Sequence, residues 1–336
     1  MEQIIEVKNL VKNFSVHSGL LDILVGRKKK YVHAVSNVTF DIKKQEVLGL
    51  AGESGSGKST IGRLLLKLID KTSGEIKYKG KDISKMSTVE LNKLREKIQI
   101  VFQDPVASLN PRMSVGDSII DPLIIHNKYD RKKRKEYALD LMEKVGLSPA
   151  KVLYDKYPHQ LSGGQSQRVV LARALITNPD FIVADEPIAA ADVSIRALIL
   201  ELMKKLKNEF NLTYLFITHD LATAKYLCDR IAILYLGKLI EIGSKDQVFS
   251  TPLHPYTKAL LEAVPVPDPD HRRKEPLPKG EIPDAINPPS GCYYHPRCNY
   301  AMDKCSKMEP KFFEVEKGHK VACFLVEQNQ EECVEE

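Results

Sequence analysis

The sequence predicts an α/β protein built on a mostly parallel sheet. An apolar run at residues 47–51 leads into a glycine-rich loop, and an apolar helical segment begins at Ile61. Further along, apolar runs at residues 181–184, 212–218 and 231–236 alternate with segments of helical pattern. Alternation of buried strands with helices is typical of parallel sheets covered by helices on their faces.

Two other kinds of element are predicted beside this core. Residues 4–16 and 31–42 alternate apolar and polar side chains, which predicts two antiparallel strands joined by a loop. Lys, Glu and Leu recur at three- and four-residue spacing from Ser114 to about Leu161, which predicts a helical insert. We also expect strands at residues 74–78 and 98–103.

The composition changes after Ala263. Eight prolines fall between residues 265 and 289, and they exclude regular helix. We therefore predict one domain at residues 1–263, with a helical subdomain at about 104–165, and an extended linker at 264–290. A small cysteine-rich module at 291–328 and an acidic tail at 329–336 follow.

Composition excludes several classes of protein. No run approaches the roughly 20 apolar residues that span a bilayer, and Glu2, Glu6 and Lys8 occupy the place of an apolar signal segment, so we expect a cytoplasmic protein. The net charge is +6, with basic runs at residues 27–30 and 131–135. Neither run is interleaved with aromatic residues, so we expect no nucleic-acid partner, while contact with anionic lipid headgroups stays open.

The glycine-rich loop, residues 52–60, matches G-x-x-x-x-G-K-[ST] between a strand and a helix. Its backbone N–H groups suit phosphate oxygens at a helix N-terminus, where the helix dipole favours negative charge. Lys58 is expected to reach the β- and γ-phosphates and Ser59 to bind Mg²⁺. The predicted nucleoside-triphosphate contacts come from Ser54, Gly55, Ser56, Gly57, Lys58, Ser59 and Thr60.

Polar side chains are predicted where three further strands end. Asp185 and Glu186 close one apolar strand, and we expect Asp185 to hold Mg²⁺ while Glu186 polarises the attacking water. Gln103, at the end of a second strand, is placed to reach both the Mg²⁺ and that water. His219, which closes a third, is expected to donate to the γ-phosphate.

A second phosphate-binding turn lies at residues 161–165, Leu-Ser-Gly-Gly-Gln, where a helix begins. Ser162, Gly163, Gly164 and Gln165 form a nest of backbone N–H groups at that helix N-terminus. One triphosphate does not need two such nests from one chain. We therefore expect each nest to serve the nucleotide of another subunit.

These motifs together resemble those of the ATP-binding cassette (ABC) ATPases. Residues 52–60 resemble Walker A, residues 181–186 Walker B and residues 161–165 the signature. Gln103, Asp192 and His219 stand at the Q-loop, D-loop and switch positions. The resemblance implies a P-loop NTPase (RecA-like) core with an antiparallel β subdomain and an α-helical subdomain. It also implies a head-to-tail pair of cassettes that sandwiches two ATP molecules.

The resemblance narrows to the ATPases of oligopeptide and dipeptide importers. It is carried by residues 103–105, 108–112, 254–261 and 295–298. It implies ATP hydrolysis at the cytoplasmic face of a membrane, with two permease subunits, a second ATPase subunit and, indirectly, an extracytoplasmic peptide-binding protein. Two competing hypotheses are a soluble ABC ATPase of translation or DNA repair and an importer of nickel or another small solute.

The sequence departs from the family pattern at two places. Ser166 replaces a usual arginine, and Ile-Ala-Ala-Ala-Asp at residues 188–192 replaces the usual D-loop residues. Neither change removes a catalytic group. For the aromatic ring that stacks on adenine, Phe14 fits the family position and Tyr31 is the alternative, while core packing is the other explanation for either ring.

Six cysteines are distributed unevenly. Cys228 is expected to be a small buried side chain, and Cys333 lies in the acidic tail. The spacers between the remaining four are 5, 6 and 17 residues long, in the order Cys292, Cys298, Cys305 and Cys323. Four thiolates suit a [4Fe-4S] cluster or zinc, and buried thiols without metal stay a third interpretation. Resemblance to importer ATPases with this module implies the [4Fe-4S] cluster, with zinc as runner-up.

Overall fold

The computed structural model describes residues 2–16, 30–189, 193–264 and 278–335. Asp192 and residues 265–277 of the predicted linker lie outside this part of the chain. No helix within it is both long and apolar enough to cross a membrane.

The strands of the described chain are numbered in chain order. They are β1 (Gln3–Ser15), β2 (Tyr31–Lys43), β3 (Val47–Ala51), β4 (Ser73–Tyr78), β5 (Lys81–Asp82), β6 (Ile98–Val101), β7 (Phe181–Asp185), β8 (Thr213–Thr218), β9 (Arg230–Tyr235), β10 (Lys238–Ser244), β11 (Phe313–Glu316) and β12 (His319–Val321).

The α-helices are numbered in the same way, and two short 3₁₀ turns lie at Ile83–Lys85 and Pro158–Gln160. The helices are α1 (Lys58–Leu65), α2 (Thr88–Lys97), α3 (Val115–Ile125), α4 (Arg131–Lys144), α5 (Ala150–Tyr154), α6 (Gly163–Leu175), α7 (Val193–Phe210), α8 (Leu221–Leu227), α9 (Lys245–Ser250), α10 (Pro255–Glu262), α11 (Asp303–Lys307) and α12 (Phe324–Glu335).

The chain divides into two compact units. The first contains residues 1–4, 42–47 and 78–217. Its strands β6, β7 and β8 are parallel, with β7 in the middle. Every residue of β7 is buried, which is what a strand covered on both faces requires. Helices α3, α4 and α5 of this unit lie within the segment for which the sequence predicts helices.

The second unit contains residues 5–41, 48–77 and 218–336. One of its sheets has the strand order β11-β12-β10-β9-β3, in which β3 and β9 are parallel and the other pairs antiparallel. A second sheet has the order β2-β1-β4, so the two strands predicted at residues 4–16 and 31–42 are neighbours in it. Further along, Ala285 of the predicted linker accepts a backbone hydrogen bond of 2.9 Å from His33.

Polar caps set the starts of several helices. Ser87 and Glu90 form a capping box at α2, and Ser244 and Gln247 form another at α9. In each box a serine hydroxyl accepts from the backbone N–H three residues later, which satisfies a donor that the helix leaves free. The start of α4 is capped by Asp130, whose carboxylate accepts from Lys133 N at 2.8 Å.

Some predicted boundaries differ from the structure. Strand β6 ends at Val101, so Gln103 lies two residues beyond the strand and not at its end. His219 likewise follows β8 by one residue. The segment predicted as an acidic tail continues α12 to Glu335. Cys228 is buried, as predicted, but it follows the last residue of α8.

A buried carboxylate holds three segments of the second unit together. The Glu241 side chain in β10 is fully buried and accepts hydrogen bonds from Leu253 N at 3.0 Å and His254 N at 2.9 Å. Its Oε1 atom also lies 2.8 Å from Nε2 of His319 in β12. Strand β10, the start of α10 and strand β12 therefore share one polar centre.

His254 makes the stability of this centre dependent on pH. Burial lowers the pKa of His254 to about 4, against the smaller opposing effect of Glu241. Because protonation of His254 is then harder in the folded state than in the unfolded state, its contribution to the free energy of unfolding is fully present above pH 6.5. This contribution falls as the pH drops toward 4. In His254→Asn the new side chain can still accept from Tyr256 N, so the helix cap is kept. Between pH 7 and 4.5 we expect the free energy of unfolding of this variant to fall less than that of wild type, by up to about 3 kcal/mol.

Denaturant unfolding at several pH values measures this difference. The control is His159→Asn, because His159 is exposed. The prediction is wrong if wild type and His254→Asn lose the same free energy of unfolding over this interval.

Candidate functional site

The phosphate loop lies in the second unit, between β3 and α1. Gly57 precedes α1 with a left-handed backbone, φ 100°, and no described side chain caps this helix. A helix N-terminus that follows a glycine-rich turn in this way is suited to an anion. The other predicted phosphate contacts lie close to this helix start in the sequence. Ser54, Gly55 and Ser56 precede the helix, and Ser59 and Thr60 lie in its first turn.

Lys58 is held inside the loop. Its side chain is 5% exposed, and its ammonium donates to the carbonyl oxygens of Gly52 and Glu53, both at 2.8 Å. A third donor contact, to Ser56 Oγ, measures 3.3 Å. A positive charge fixed at the loop centre is suited to the β- and γ-phosphates of a nucleotide.

Gln103 and Glu186 meet in the first unit. The Gln103 side-chain amide donates to Glu186 Oε2 at 3.0 Å, and Glu186 N donates to Ile217 O at 3.0 Å. Asp185, the preceding residue, is buried in β7. The structure thus brings together the two residues that the sequence assigned to the attacking water.

Glu186 also has an unusual backbone. Its φ is 47°, in the left-handed region that a residue with a Cβ rarely adopts. Such a conformation costs about 1–2 kcal/mol and is concentrated at functional sites. No sequence pattern predicted this backbone conformation.

The second phosphate nest opens α6 in the first unit. Ser162 and Gln165 form a capping box at this helix start. Gln165 N donates to Ser162 Oγ at 3.3 Å, and Ser162 N donates to Gln165 Oε1 at 3.0 Å. Ser162 and Gly163 are exposed, and a Cβ added at Gly163 would meet no atom within 4 Å. The nest is therefore open to a ligand from outside. Ser166, one of the departures from the family pattern, is buried beneath it.

The remaining nucleotide candidates lie in the second unit. His219 is exposed just after β8. Phe14 is 39% exposed and Tyr31 is 43% exposed, so neither ring is a core side chain. Both stay candidates for stacking on adenine, with the Lys12 ammonium 4.7 Å from the Phe14 ring.

The four clustered cysteines lie around one cavity in the second unit. Cys292, Cys298, Cys305 and Cys323 all line a cavity of about 20 Å³, together with His254, Tyr294 and His295. Burial raises the pKa of Cys292 to about 12 and that of Cys323 to about 11, so these thiols are protonated at neutral pH. In the described chain, no group of three or more His, Cys, Asp or Glu side chains is arranged to hold a metal ion.

His295 and His319 each have a polar partner in the second unit. His295 Nδ1 lies 2.9 Å from the Cys292 carbonyl oxygen. His319 lies in β12 and contacts Glu241.

The sequence analysis missed an ion pair at the phosphate loop. Arg297 donates to the carboxylate of Glu53, with distances of 2.8 and 3.2 Å. The two residues are 244 positions apart, so no local pattern could have indicated the contact.

Comparison with known proteins gives two family matches. A model described as ABC transporter matches residues 35–189. A second, described as oligopeptide/dipeptide transporter, C-terminal region, matches residues 240–305.

Full-length relatives are similar along nearly the whole chain. The oligopeptide transport ATP-binding protein AppF of Bacillus subtilis is 46% identical over 327 residues, covering 96% of this chain and 98% of the relative. The dipeptide transport ATP-binding protein DppF of Haemophilus influenzae is 45% identical over 318 residues, covering 95% of each.

Solved structures share the fold. The dimeric cassette MJ0796, in a post-hydrolysis state bound to ADP and Pi, has a TM-score of 0.61 at 32% identity and covers 72% of this chain and 98% of its own. The cbiO1 subunit of Clostridium perfringens, part of an ABC transporter complex, has a TM-score of 0.63 at 28% identity, covering 75% of this chain and 92% of its own.

The geometry of Lys58 gives a prediction about nucleotide binding. We expect Lys58→Ala to weaken nucleotide binding at least about tenfold, because it removes the charge fixed inside the loop. Titration with a fluorescent ATP analogue measures the change. The control is Lys93→Ala, which removes an exposed lysine of α2. Equal affinity of wild type and Lys58→Ala would contradict the assignment.

Proposed function

Because the chain belongs to the ABC transporter family, whose ATP-binding proteins are ATPases coupled to transport, we propose that it powers the import of oligopeptides or dipeptides. The observation that carries this proposal is similarity along the whole chain, phosphate loop and C-terminal region included, to proteins named for peptide transport. These names favour peptides over nickel or another small solute. They also favour a transporter over an ATPase of translation or DNA repair.

The phosphate loop binds the phosphates of ATP. The backbone N–H groups of residues 54–60 bind the phosphates, and Lys58 neutralises charge on the β- and γ-phosphates. Ser59, Asp185 and Gln103 offer hydroxyl, carboxylate and amide oxygens, the hard donors that suit Mg²⁺. When bound there, Mg²⁺ supplies further charge neutralisation at the phosphates.

Glu186 acts as the general base. Water attacks the γ-phosphorus, a new P–O bond forms, and the bond to the ADP oxygen breaks. Glu186 takes up the proton of the water, and the hydrogen bond from Gln103 orients the carboxylate for this role. His219 donates to an oxygen of the γ-phosphate. Phe14 or Tyr31 stacks on the adenine.

A second ATPase subunit completes each site. The nest at residues 161–165, in which Ser162 and Gly163 are exposed, supports action on the nucleotide of a partner cassette, either a copy of this chain or a related one. ATP binding closes such a pair, and hydrolysis reopens it. The motion drives two membrane permease subunits, which receive peptide from an extracytoplasmic binding protein. The chain then works as a peripheral protein at the cytoplasmic face of the membrane.

The role of Glu186 gives the next prediction. We expect Glu186→Gln to bind ATP as wild type does but to hydrolyse it at least about 100-fold more slowly, because the amide cannot accept the proton. Because ATP then stays bound, we also expect the variant to remain in the closed dimer. Phosphate release measures hydrolysis, and size-exclusion chromatography with ATP measures the amount of dimer. The matched control is Glu201→Gln on the exposed face of α7. Normal turnover by Glu186→Gln would rule out the general-base role.

We further propose that the four clustered cysteines hold a [4Fe-4S] cluster. The donor set fits, because four thiols line one cavity and each of the four iron atoms of a cubane binds one thiolate. Loading requires release of the thiol protons.

Anaerobic purification tests the cluster. We expect a brown protein with about four iron atoms and four sulfides per chain, and loss of both in Cys298→Ser. Cys228→Ala should keep the colour, because Cys228 lies outside the cavity lining. Colourless protein with stoichiometric zinc would overturn the cluster.

A further inference from the structure

Glu53 is an acidic residue inside a loop that binds a highly anionic ligand. It follows Gly52, and its carbonyl oxygen accepts from the Lys58 ammonium at 2.8 Å. An unpaired carboxylate at this position would repel the phosphates of a nucleotide. The loop therefore needs a partner for Glu53 if it is to bind a triphosphate well.

Arg297 is that partner. Its side chain is 10% exposed, and its two terminal nitrogens lie 2.8 and 3.2 Å from the two oxygens of Glu53. This two-pronged geometry fixes direction as well as charge. Arg297 immediately precedes Cys298, so the contact joins the cysteine-rich module to the phosphate loop.

Aromatic rings hold Arg297 in place. The guanidinium carbon lies 5.8 Å from the centre of the Tyr235 ring and 6.0 Å from that of Tyr294. Both rings are buried, which restricts the rotamers open to the arginine. Cation–π attraction adds to this restriction.

A third contact fixes the backbone of Glu53. Its N–H donates to the hydroxyl of Tyr256 at 3.0 Å, and the Tyr256 side chain, in α10, is 1% exposed. Glu53 is thus held through its carboxylate by Arg297, through its N–H by Tyr256 and through its carbonyl oxygen by Lys58. A shift of Glu53 would move a carbonyl that positions the Lys58 ammonium.

We propose that Arg297 and Tyr256 are positioning residues for ATP binding, through which the segment beyond residue 250 sets the nucleotide affinity of the phosphate loop. The proposal rests on the proposed function, since it assumes that this loop binds ATP. Arg297 neutralises the charge of Glu53 and fixes the position of its carboxylate. Tyr256 fixes the backbone that holds Lys58.

The decisive variants are a change of Arg297 alone and a change of both partners of the pair. We expect Arg297→Gln to raise the Kd for ATP about tenfold, because it leaves the Glu53 carboxylate unpaired beside the ligand. Since Glu53 is 28% exposed, solvent screening limits the effect to this size. The double variant Glu53→Gln/Arg297→Gln should return the Kd to within about threefold of wild type, because the repulsion is gone.

Two milder variants separate charge from geometry. Arg297→Lys keeps the positive charge but loses the two-pronged contact with the carboxylate. Its Kd for ATP should therefore lie between those of wild type and Arg297→Gln. Tyr256→Phe removes only a hydroxyl and should raise the Kd about threefold. In steady-state hydrolysis the KM for ATP should rise in each weakened variant while kcat changes little, since the water-activating residues are untouched.

Calorimetric titration of the full-length chain with ATP measures these constants, and thermal melting checks the fold. Arg63→Gln on the exposed face of α1 is the matched control. Absence of ATP binding by wild type would contradict the proposed function itself. Wild-type affinity in folded Arg297→Gln, or no recovery in the double variant, would overturn the positioning role of Arg297. If Arg297→Gln does not fold, an unchanged Kd in both Arg297→Lys and Tyr256→Phe overturns the proposal.

Discussion

The phosphate loop depends on direct backbone-to-backbone packing. A Cβ at Gly52 would lie 2.2 Å from the carbonyl oxygen of Leu234, and one at Gly57 would lie 2.3 Å from that of Ala34. No side chain larger than hydrogen fits either position without moving the main chain. The positive φ angles of both glycines add a second reason for that choice. Lys58 and Glu53 take their positions from a loop fixed in this way.

Local patterns were enough to predict the core of this fold, but not its long-range contacts. Apolar runs located β3, β7 and β8 to within about one residue, because strands buried on both faces need continuous apolar sequence. The short, polar strands β11 and β12 carry no such signal. The motifs assign Gln103 and Glu186 to the same water molecule, so their hydrogen bond agrees with the sequence analysis. The Arg297–Glu53 pair joins segments that are distant in the sequence, and no local pattern indicates it.

The C-terminal segments are integral to the second unit. Glu241 ties β10 to the start of α10 and to β12, and Arg297 ties the cysteine-bearing segment to the phosphate loop. The sequence spacing of the cysteines left metal, cluster and bare thiols open, because spacing does not fix distances in space. Their arrangement around one cavity is the information that only the fold supplies.

The pairing of β12 with β10 also bears on solubility. Without residues 313–321, strand β10 would present a row of unpaired N–H and C=O groups, a template for association with other chains. Strand β11 takes over the outer position, and it is four residues long with glutamates at 314 and 316. Short length and repelling charge are how natural sheets block edge-to-edge aggregation. Truncation before the cysteine-bearing segment would therefore produce a protein prone to aggregate, whatever its nucleotide affinity.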